Sequence, residues 1–457
     1  MKEYDIVVIG SGCGLSIVAK ALERNLRVAL VAEKYLGGTC FNVGCVPSKT
    51  LIYTADRVLQ IGEAEKFGIG ASLSSIDFGA IMERTRGNIK RGVEFQREWV
   101  EHTGNLDFYE VRARFAGDYL LETADGRQIK GGKIFIASGA SPAIPPIDGL
   151  SDVGYLTNET LLALTERPES MVIIGGGYIA VEYGHFFAAM GTKVTIIEMG
   201  ESLVANEEPE ISRLLHERLS SRMSVMLSAA LVKVSKNGTL CTLRTRTRDG
   251  MEQELTAEKI LVAAGRKSNA PSLTPEATGV ELNEAGYVKV DEYLQTTKKN
   301  IWAVGDATGR QMFTHAADRE VEVAWHNAMS EEVGAKRRKM DFSLVPHAIF
   351  THPQIAALGM RESEAKTGRK VLVGRALYSD TVQGDVRMEQ EGFAKALVEK
   401  KTERILGFHI IGPQAPELIQ EVVNAMTKGL GAKAVTESIH IFPAMSELIP
   451  EVFNNLE

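Results

Sequence analysis

A short unbroken apolar run that ends on glycine, followed by a helical stretch and a second apolar run closed by an acid, occurs twice along this chain. Near the start, Asp5-Ile6-Val7-Val8-Ile9 has the pattern of a strand buried on both faces. Gly10-Ser11-Gly12-Cys13-Gly14 follows, then an apolar stretch from about Leu15 to Arg24 that predicts a helix. A second strand, Val28 to Ala32, ends at Glu33. The order returns with Met171 to Ile174, then Gly175-Gly176-Gly177-Tyr178-Ile179-Ala180, a helix, and a strand from Lys193 to Ile197 closed by Glu198. Strands alternating with helices predict the α/β class and parallel sheets.

Such glycines let a backbone approach a pyrophosphate at a positively polarised helix N-terminus, while the acid closing the next strand binds ribose hydroxyls. Glu33 lies 21 residues after Gly12, and Glu198 lies 21 residues after Gly177. One such fingerprint arises by chance in a chain with 43 glycines. Two, each with an acid at equal spacing, point to two Rossmann-like domains; a pair of glycine-rich turns in an ordinary α/β sheet would need the repeated acid by coincidence. Ala180 suits the third small position of the second fingerprint, whereas the first has Leu15 there with Gly14 beside it, which predicts slightly wider helix–strand packing. After Glu198 no arginine occurs before Arg213, so a ribose 2′-phosphate would meet a carboxylate and no neighbouring cation. NADH is therefore expected rather than NADPH.

A length of 457 residues suggests about three domains. The 52 Lys+Arg against 59 Asp+Glu leave a net charge of -7, without the basic surplus of a nucleic-acid footprint. No apolar run is long enough for a membrane-spanning helix, and the first residues do not read as a signal peptide, so a cytoplasmic protein without membrane partners is expected. Four cysteines, at 13, 40, 45 and 241, are too few and too scattered for a secreted disulfide framework.

Two of them form the most specific segment, Gly37-Gly38-Thr39-Cys40-Phe41-Asn42-Val43-Gly44-Cys45-Val46-Pro47-Ser48-Lys49. Cysteines five apart at a predicted helix start, near a lysine, have the makings of a small redox-active disulfide. A half zinc site and two inert core cysteines are the alternatives. Zinc would need two more closely spaced ligands, and Cys13 and Cys241 stand apart from the pair and from each other, so no metal site is expected.

With these residues the chain resembles the FAD-dependent pyridine nucleotide-disulfide oxidoreductases, the family of dihydrolipoamide dehydrogenase, glutathione reductase, mycothione reductase and mercuric reductase. The likeness extends to Ile136-Ala137-Ser138-Gly139-Ala140, Val262-Ala263-Ala264-Gly265-Arg266, Ile301-Trp302-Ala303-Val304-Gly305-Asp306-Ala307, Thr351-His352-Pro353-Gln354 and Gly407 to Pro413. It implies two Rossmann-like domains, for FAD and NAD, plus a C-terminal α+β dimerisation domain. The implied segments are FAD-binding over 1–146, NAD-binding over 147–268, a return to the FAD domain over 269–340, and an interface domain over 341–457.

The resemblance also assigns roles. NADH would deliver hydride to the flavin, and the flavin would reduce the Cys40–Cys45 disulfide, with Cys45 the thiolate against the flavin and Cys40 the thiol that attacks a small-molecule or protein-bound disulfide. Lys49 matches the family lysine beside the flavin, Glu182 the glutamate that pairs with it, and Tyr178 the aromatic gate over the nicotinamide pocket. Gly10, Gly12, Gly14, Glu33, Gly38, Thr39, Lys49, Ser138, Gly139 and Asp306 would bind FAD, with Asp306 on the ribityl chain. Gly175, Gly177, Tyr178, Ile179, Glu182, Glu198 and Gly265 would bind NAD.

The C-terminal motif departs from the family. Members acting on lipoamide or glutathione carry a histidine before proline, supported by a glutamate five residues on, which reaches the attacking thiol from the partner of a homodimer. This chain reads Ser438-Ile439-His440-Ile441-Phe442-Pro443-Ala444-Met445-Ser446-Glu447. Pro443 and Glu447 agree with the motif, but Phe442 occupies the histidine position and cannot move a proton. His440 stands two residues earlier, where dihydrolipoamide dehydrogenases often carry an extra histidine that is not the base; in extended chain it would share a side with Phe442, so a substitute base stands as the alternative to a structural role. Mercuric reductases also carry Phe-Pro here but use a terminal cysteine pair, and Val452 to Glu457 contains none. Three functions therefore stand: an NADH-dependent, dihydrolipoamide dehydrogenase-like disulfide reductase; the same centre reducing a metal ion, quinone or oxygen; and a nonenzymatic flavin redox sensor.

Overall fold

A computed structural model describes residues 1–457, the side chains of Glu332 and Val333 left aside. The chain forms two units, residues 1–48, 82–143 and 265–342 in the first and residues 49–81, 144–264 and 343–457 in the second.

In the first unit the strand Lys2–Ile9 runs parallel between Val28–Val31 and Gln128–Ile136. Leu106–Tyr109 extends this seven-stranded sheet on one side, Ile301–Ala303 pairs with Gln128–Ile136, and the antiparallel strands Ala113–Gly117 and Leu120–Thr123 complete it. Every residue of Val28–Val31 is buried, which is why its apolar run shows no alternation. The register Ile6↔Val28 to Ile9↔Val31 brings the two strand ends level, so that Gly10 and Glu33 emerge at one edge of the sheet. The helix expected from Leu15 to Arg24 spans Gly14–Leu22, and the chain leaves it through Asn25 at φ 56°.

The second unit repeats the parallel arrangement. Ser170–Ile174 lies between Lys193–Ile197 and Lys259–Val262, with Ser224–Met226 outermost. An antiparallel sheet of Ala229–Asn237, Leu240–Thr247 and Glu252–Ala257 shares a core with these strands through Val172, Ile174, Leu243 and Ile260. Residues 343–457 supply a five-stranded antiparallel sheet whose apolar face packs against the helices Ala415–Thr427 and Leu448–Asn454 through Phe408, Ile410, Ile419, Val422 and Phe453. The architecture is α/β with two Rossmann-like layers and a C-terminal α+β part. Among the described residues, no helix is long and apolar enough to cross a membrane.

The first glycine of each fingerprint is held by the same constraint. Gly10, at φ 106°, sits so close to the Ala137 carbonyl that a Cβ would lie 2.1 Å from its oxygen; at Gly175, φ 110°, the corresponding distance to the Ala263 oxygen is 2.4 Å. Only glycine serves at either turn. Gly14 takes over the work of the missing third glycine, since a Cβ there would meet Val8 Cγ1 at 2.7 Å. The wider packing expected from Leu15 is thus corrected: the glycine has moved by one residue and the close helix–strand contact is kept.

Candidate functional site

Cys40 lies in the short helix Gly38–Val43 and Cys45 opens the long helix Cys45–Glu63. Gly44 breaks the chain between them at φ −126°, ψ −112°, and a Cβ there would fall 2.9 Å from the Thr39 oxygen and 3.1 Å from Cys40 Cα. The two cysteines are therefore brought together by a residue that no other side chain could replace without displacing Cys40. Cys40 hydrogen-bonds to Cys45, which together with burial pushes the Cys40 thiol well above its ordinary value. The Thr314 hydroxyl, at the N-terminus of the helix Thr314–Val333, lies 3.5 Å from Cys45 Sγ and works in the opposite direction on Cys40. The positive end of that 20-residue helix favours negative charge on the sulfurs.

Around the first fingerprint, Gly12 and Gly38 meet backbone to backbone, where a Cβ on Gly38 would lie 2.4 Å from Gly12 Cα. Glu33 makes a bidentate ion pair with Arg112 at 3.0 and 3.1 Å, half exposed and so easily exchanged for a ribose. Ser138 Oγ is buried without a hydrogen-bond partner among the described residues, and Gly139 follows at φ 69°. Asp306 lies on the turn Gly305–Thr308, 3.4 Å from Arg266 Nε, its carboxyl raised by burial against the pull of that guanidinium. A side-chain-free cradle at a helix N-terminus, an acid at the strand end and an orphaned buried hydroxyl suit a dinucleotide.

In the second unit Glu198 is folded back on its own fingerprint, accepting the N–H of Gly176 at 2.5 Å and of Gly200 at 2.6 Å. Tyr178 and Ile179 begin the helix Tyr178–Ala189, with Tyr178 exposed, and Gly177 precedes it in extended conformation. Gly265, at φ 115°, ends the chain segment after Lys259–Val262. The fold brings Arg248, fifty residues on, into an ion pair with Glu201, a pairing with no local sequence signal.

Lys49 and Glu182 do meet. The ammonium is 2.8 and 3.0 Å from the two oxygens of the buried Glu182, whose Oε1 also accepts the Phe350 N–H at 2.9 Å. The Phe350 ring lies under Lys49 Nζ, 4.6 Å from its centroid. Phe350 was not identified from the sequence, because nothing within a few residues of it marks its contact with positions 49 and 182. On the helix Cys45–Glu63, Lys49 follows Cys45 by about one turn.

At the C-terminus His440 and Phe442 do not share a side. His440 turns inward, its Nε2 2.8 Å from Glu421 Oε1 and its Nδ1 3.0 Å from the Ser438 oxygen, whereas Phe442 is 71% exposed. The extended geometry assumed for the pair is absent, since residues 439–441 are irregular and both imidazole nitrogens are drawn to local oxygens. Glu447 accepts the Ala444 N–H at 2.9 Å and so closes its own turn. One acidic cluster also went unanticipated: Glu208, Glu210 and Glu362 surround the buried Lys395 ammonium at 3.0, 2.8 and 2.6 Å.

The model of a family described as pyridine nucleotide-disulphide oxidoreductase matches residues 4–328, and that of the family's dimerisation domain matches residues 345–453. Mycothione reductase of Mycobacterium tuberculosis (strain CDC 1551 / Oshkosh) is 34% identical over 457 residues, covering 98% of each chain. Mercuric reductase of Staphylococcus aureus is 34% identical over 97% of this chain and 81% of its own length. Dihydrolipoyl dehydrogenase of Bacillus subtilis (strain 168) is 30% identical over 98% of this chain and 97% of that one. Among solved structures, the Cu(II) complex of the HOCl-induced flavoprotein disulfide reductase RclA from Escherichia coli superposes with a TM-score of 0.88 at 29% identity, over 99% of each chain. Matched across nearly its whole length, with the thiol pair and both nucleotide turns built as described, the chain belongs to the pyridine nucleotide-disulphide oxidoreductases, FAD-dependent enzymes that carry a dimerisation domain.

Proposed function

We propose that this enzyme uses NADH to reduce a disulfide whose thiols depart readily as thiolates, with Cys40 and Cys45 as the sulfurs that exchange with it. The observation that carries this reading is the asymmetry of the pair. Cys45 Sγ lies 3.5 Å from the Thr314 hydroxyl at a helix N-terminus, which favours negative charge there, whereas the hydrogen bond to Cys45 and burial raise the Cys40 thiol. As Cys40 attacks a substrate sulfur, Cys45 is the nearest acceptor of the Cys40 proton. The substrate S–S bond breaks, a mixed disulfide forms and one thiolate leaves. Cys45 then attacks Cys40 Sγ, giving up that proton, and the second substrate sulfur departs. The sum converts one thiol, one thiolate and a substrate disulfide into the Cys40–Cys45 disulfide, one free thiol and one free thiolate.

Phe442 in place of a histidine supports the leaving-group requirement, because no general acid stands in the family position to protonate a poor leaving group. His440, committed to Glu421 and Ser438, is read as structural. FAD, when bound, takes a hydride from reduced nicotinamide and supplies its electron pair to the disulfide. Gly10, Gly12, Gly14, Glu33, Gly38, Thr39, Ser138, Gly139 and Asp306 would hold it. Lys49, steadied by Glu182, would set a positive charge beside it. Gly175, Gly177, Tyr178, Ile179, Glu198 and Gly265 would hold the nicotinamide dinucleotide. Glu198 supports NADH, since its carboxylate is fixed by two backbone N–H groups and Arg248 is engaged with Glu201. The segments 1–146 and 269–340 for FAD, 147–268 for NAD and 341–457 for a homodimer interface belong to the same reading, as does a reducing, cytoplasmic setting.

A second reading is that a soft metal ion is the terminal acceptor. Two adjoining thiols are soft ligands, Phe442 removes the acid that ordinary disulfide turnover needs, and the relatives include a mercuric reductase and a protein solved with Cu(II). Steady-state oxidation of NADH and NADPH against a panel of disulfides graded by thiol pKa, and against Cu(II) and Hg(II), tests both. Turnover that rises as the leaving thiol becomes more acidic supports the first reading; turnover confined to the metals replaces it with the second.

A further inference from the structure

A closed circuit of hydrogen bonds runs through the second unit behind the Lys49–Glu182 pair. Phe350, which donates its N–H to Glu182, is followed by Thr351 and His352. The His352 carbonyl accepts from Arg222 Nη2 at 2.6 Å, and the other arm of the same guanidinium, Nη1, lies 2.9 Å from His185 Nδ1. A guanidinium only donates, so Nδ1 is the acceptor and the imidazole proton resides on Nε2, which faces Asp56 Oδ1 at 3.0 Å. Asp56 lies on the helix that carries Lys49, and His185 one turn beyond Glu182 on its own helix, which closes the circuit. His185 is fully buried and stacks with His352, ring centroids 6.4 Å apart. Burial, Arg222 and His352 all lower its tendency to take a second proton, against Asp56 alone.

We infer that His185 is a positioning residue for the Lys49–Glu182 pair, fixing the two helices and the Phe350–His352 segment through its neutral, Nε2-protonated ring. The inference rests on the proposed role of Lys49 beside the flavin. The effect of the circuit belongs to the step that requires Lys49. A ring with its proton on Nδ1, or a charged ring, would set an N–H against the Arg222 guanidinium and release the His352 carbonyl. The charged and titratable groups facing this ring are Asp56 from the Lys49 helix, Arg222, and His352, itself 3.5 Å from Glu63.

The test uses the FAD-loaded full-length enzyme, mixed anaerobically with NADH while flavin reduction is followed by absorbance. His185→Leu is expected to slow that reduction by about 10-fold to 10²-fold, the range set by a small misplacement of a working group. His185→Gln, whose amide can accept from Arg222 and donate to Asp56, is expected to recover most of it. Lys49→Met should slow the same step, and the double variant should be no slower than Lys49→Met alone. Multiplicative losses in the double variant would overturn the inference while leaving the role of Lys49 intact. A silent Lys49→Met would defeat the underlying reading and the inference with it. Independently of turnover, brief acetylation in the absence of nucleotide, read by mass spectrometry, should label Lys49 several-fold faster in His185→Leu and leave the exposed Lys2 unchanged. Equal labelling of Lys49 contradicts the circuit. Should His185→Leu fold poorly, Arg222→Met breaks the bonds to His185 Nδ1 and to the His352 carbonyl and must give the same selective labelling.

Discussion

Glu320 turns its carboxyl toward the Gly305 amide, 2.6 Å away, in a position with no exposure to solvent. Its second oxygen has no hydrogen-bond partner among the described residues, and burial raises the group to about 8, with Asp306 adding to the shift. The folded state therefore keeps a proton that the unfolded chain releases near its ordinary value of 4.5. Stability from this group is complete below that value and falls as pH rises toward about 8, by an amount on the order of a few kcal/mol. Denaturant midpoints measured from pH 5 to 8 should decline in the wild type, and Glu320→Gln, which keeps an acceptor for Gly305, should flatten the decline. An unchanged slope would contradict the assignment.

Gly10→Ala places a methyl group against the Ala137 oxygen in a backbone conformation that only glycine adopts easily. The backbone alone should cost about 1–3 kcal/mol, and the nucleotide turn must shift. Purified protein is expected to carry much less flavin than wild type, read from the ratio of visible to ultraviolet absorbance. Gly44→Ala should slow closure of the Cys40–Cys45 disulfide, because its Cβ meets the Thr39 oxygen and Cys40 Cα.

Phe442→His restores an imidazole at the family position. Lipoamide reduction should rise by about 10-fold or more, since general acid–base help is typically worth 10² to 10⁴ and Glu447 is already engaged with Ala444. Reduction of an aromatic disulfide with acidic thiols should change little. Equal gains on both substrates would argue against a missing proton donor.

Glu198→Ala removes the acceptor for Gly176 and Gly200 and the acid expected to meet a ribose. The KM for NADH should rise about tenfold, the equivalent of losing roughly 1.4 kcal/mol of binding. The KM for NADPH should rise less or fall. If both move together, Glu198 supports the turn without reading the ribose.

The parts visible in the sequence are those whose physics is local. Two strand–glycine–helix turns, two acids at equal spacing and a pair of cysteines each declare themselves within a few residues, and the sheet registers that bring Gly10 to Glu33 follow from buried apolar runs. Gly14 was readable as a glycine, but its contact with Val8 was not, because that depends on where the helix begins. Phe350, Thr314, Arg222 and Arg248 reach their partners from distant segments, and no periodicity predicts such meetings. His440 shows the converse limit. Its sequence position beside Phe442 suggested a shared side, and Glu421, nineteen residues earlier, decided its orientation.

The central claim is that electrons from NADH arrive at Cys40 and Cys45. Its most direct measurement is an anaerobic titration of the oxidised, FAD-loaded enzyme with NADH, quenched by alkylation and mapped by mass spectrometry. Conversion of Cys40 and Cys45 from disulfide to two alkylated thiols with one equivalent of NADH, with Cys13 and Cys241 unchanged, is the predicted result. Reduction of the flavin while the Cys40–Cys45 bond stays closed, or alkylation at both cysteines before any NADH is added, would contradict it.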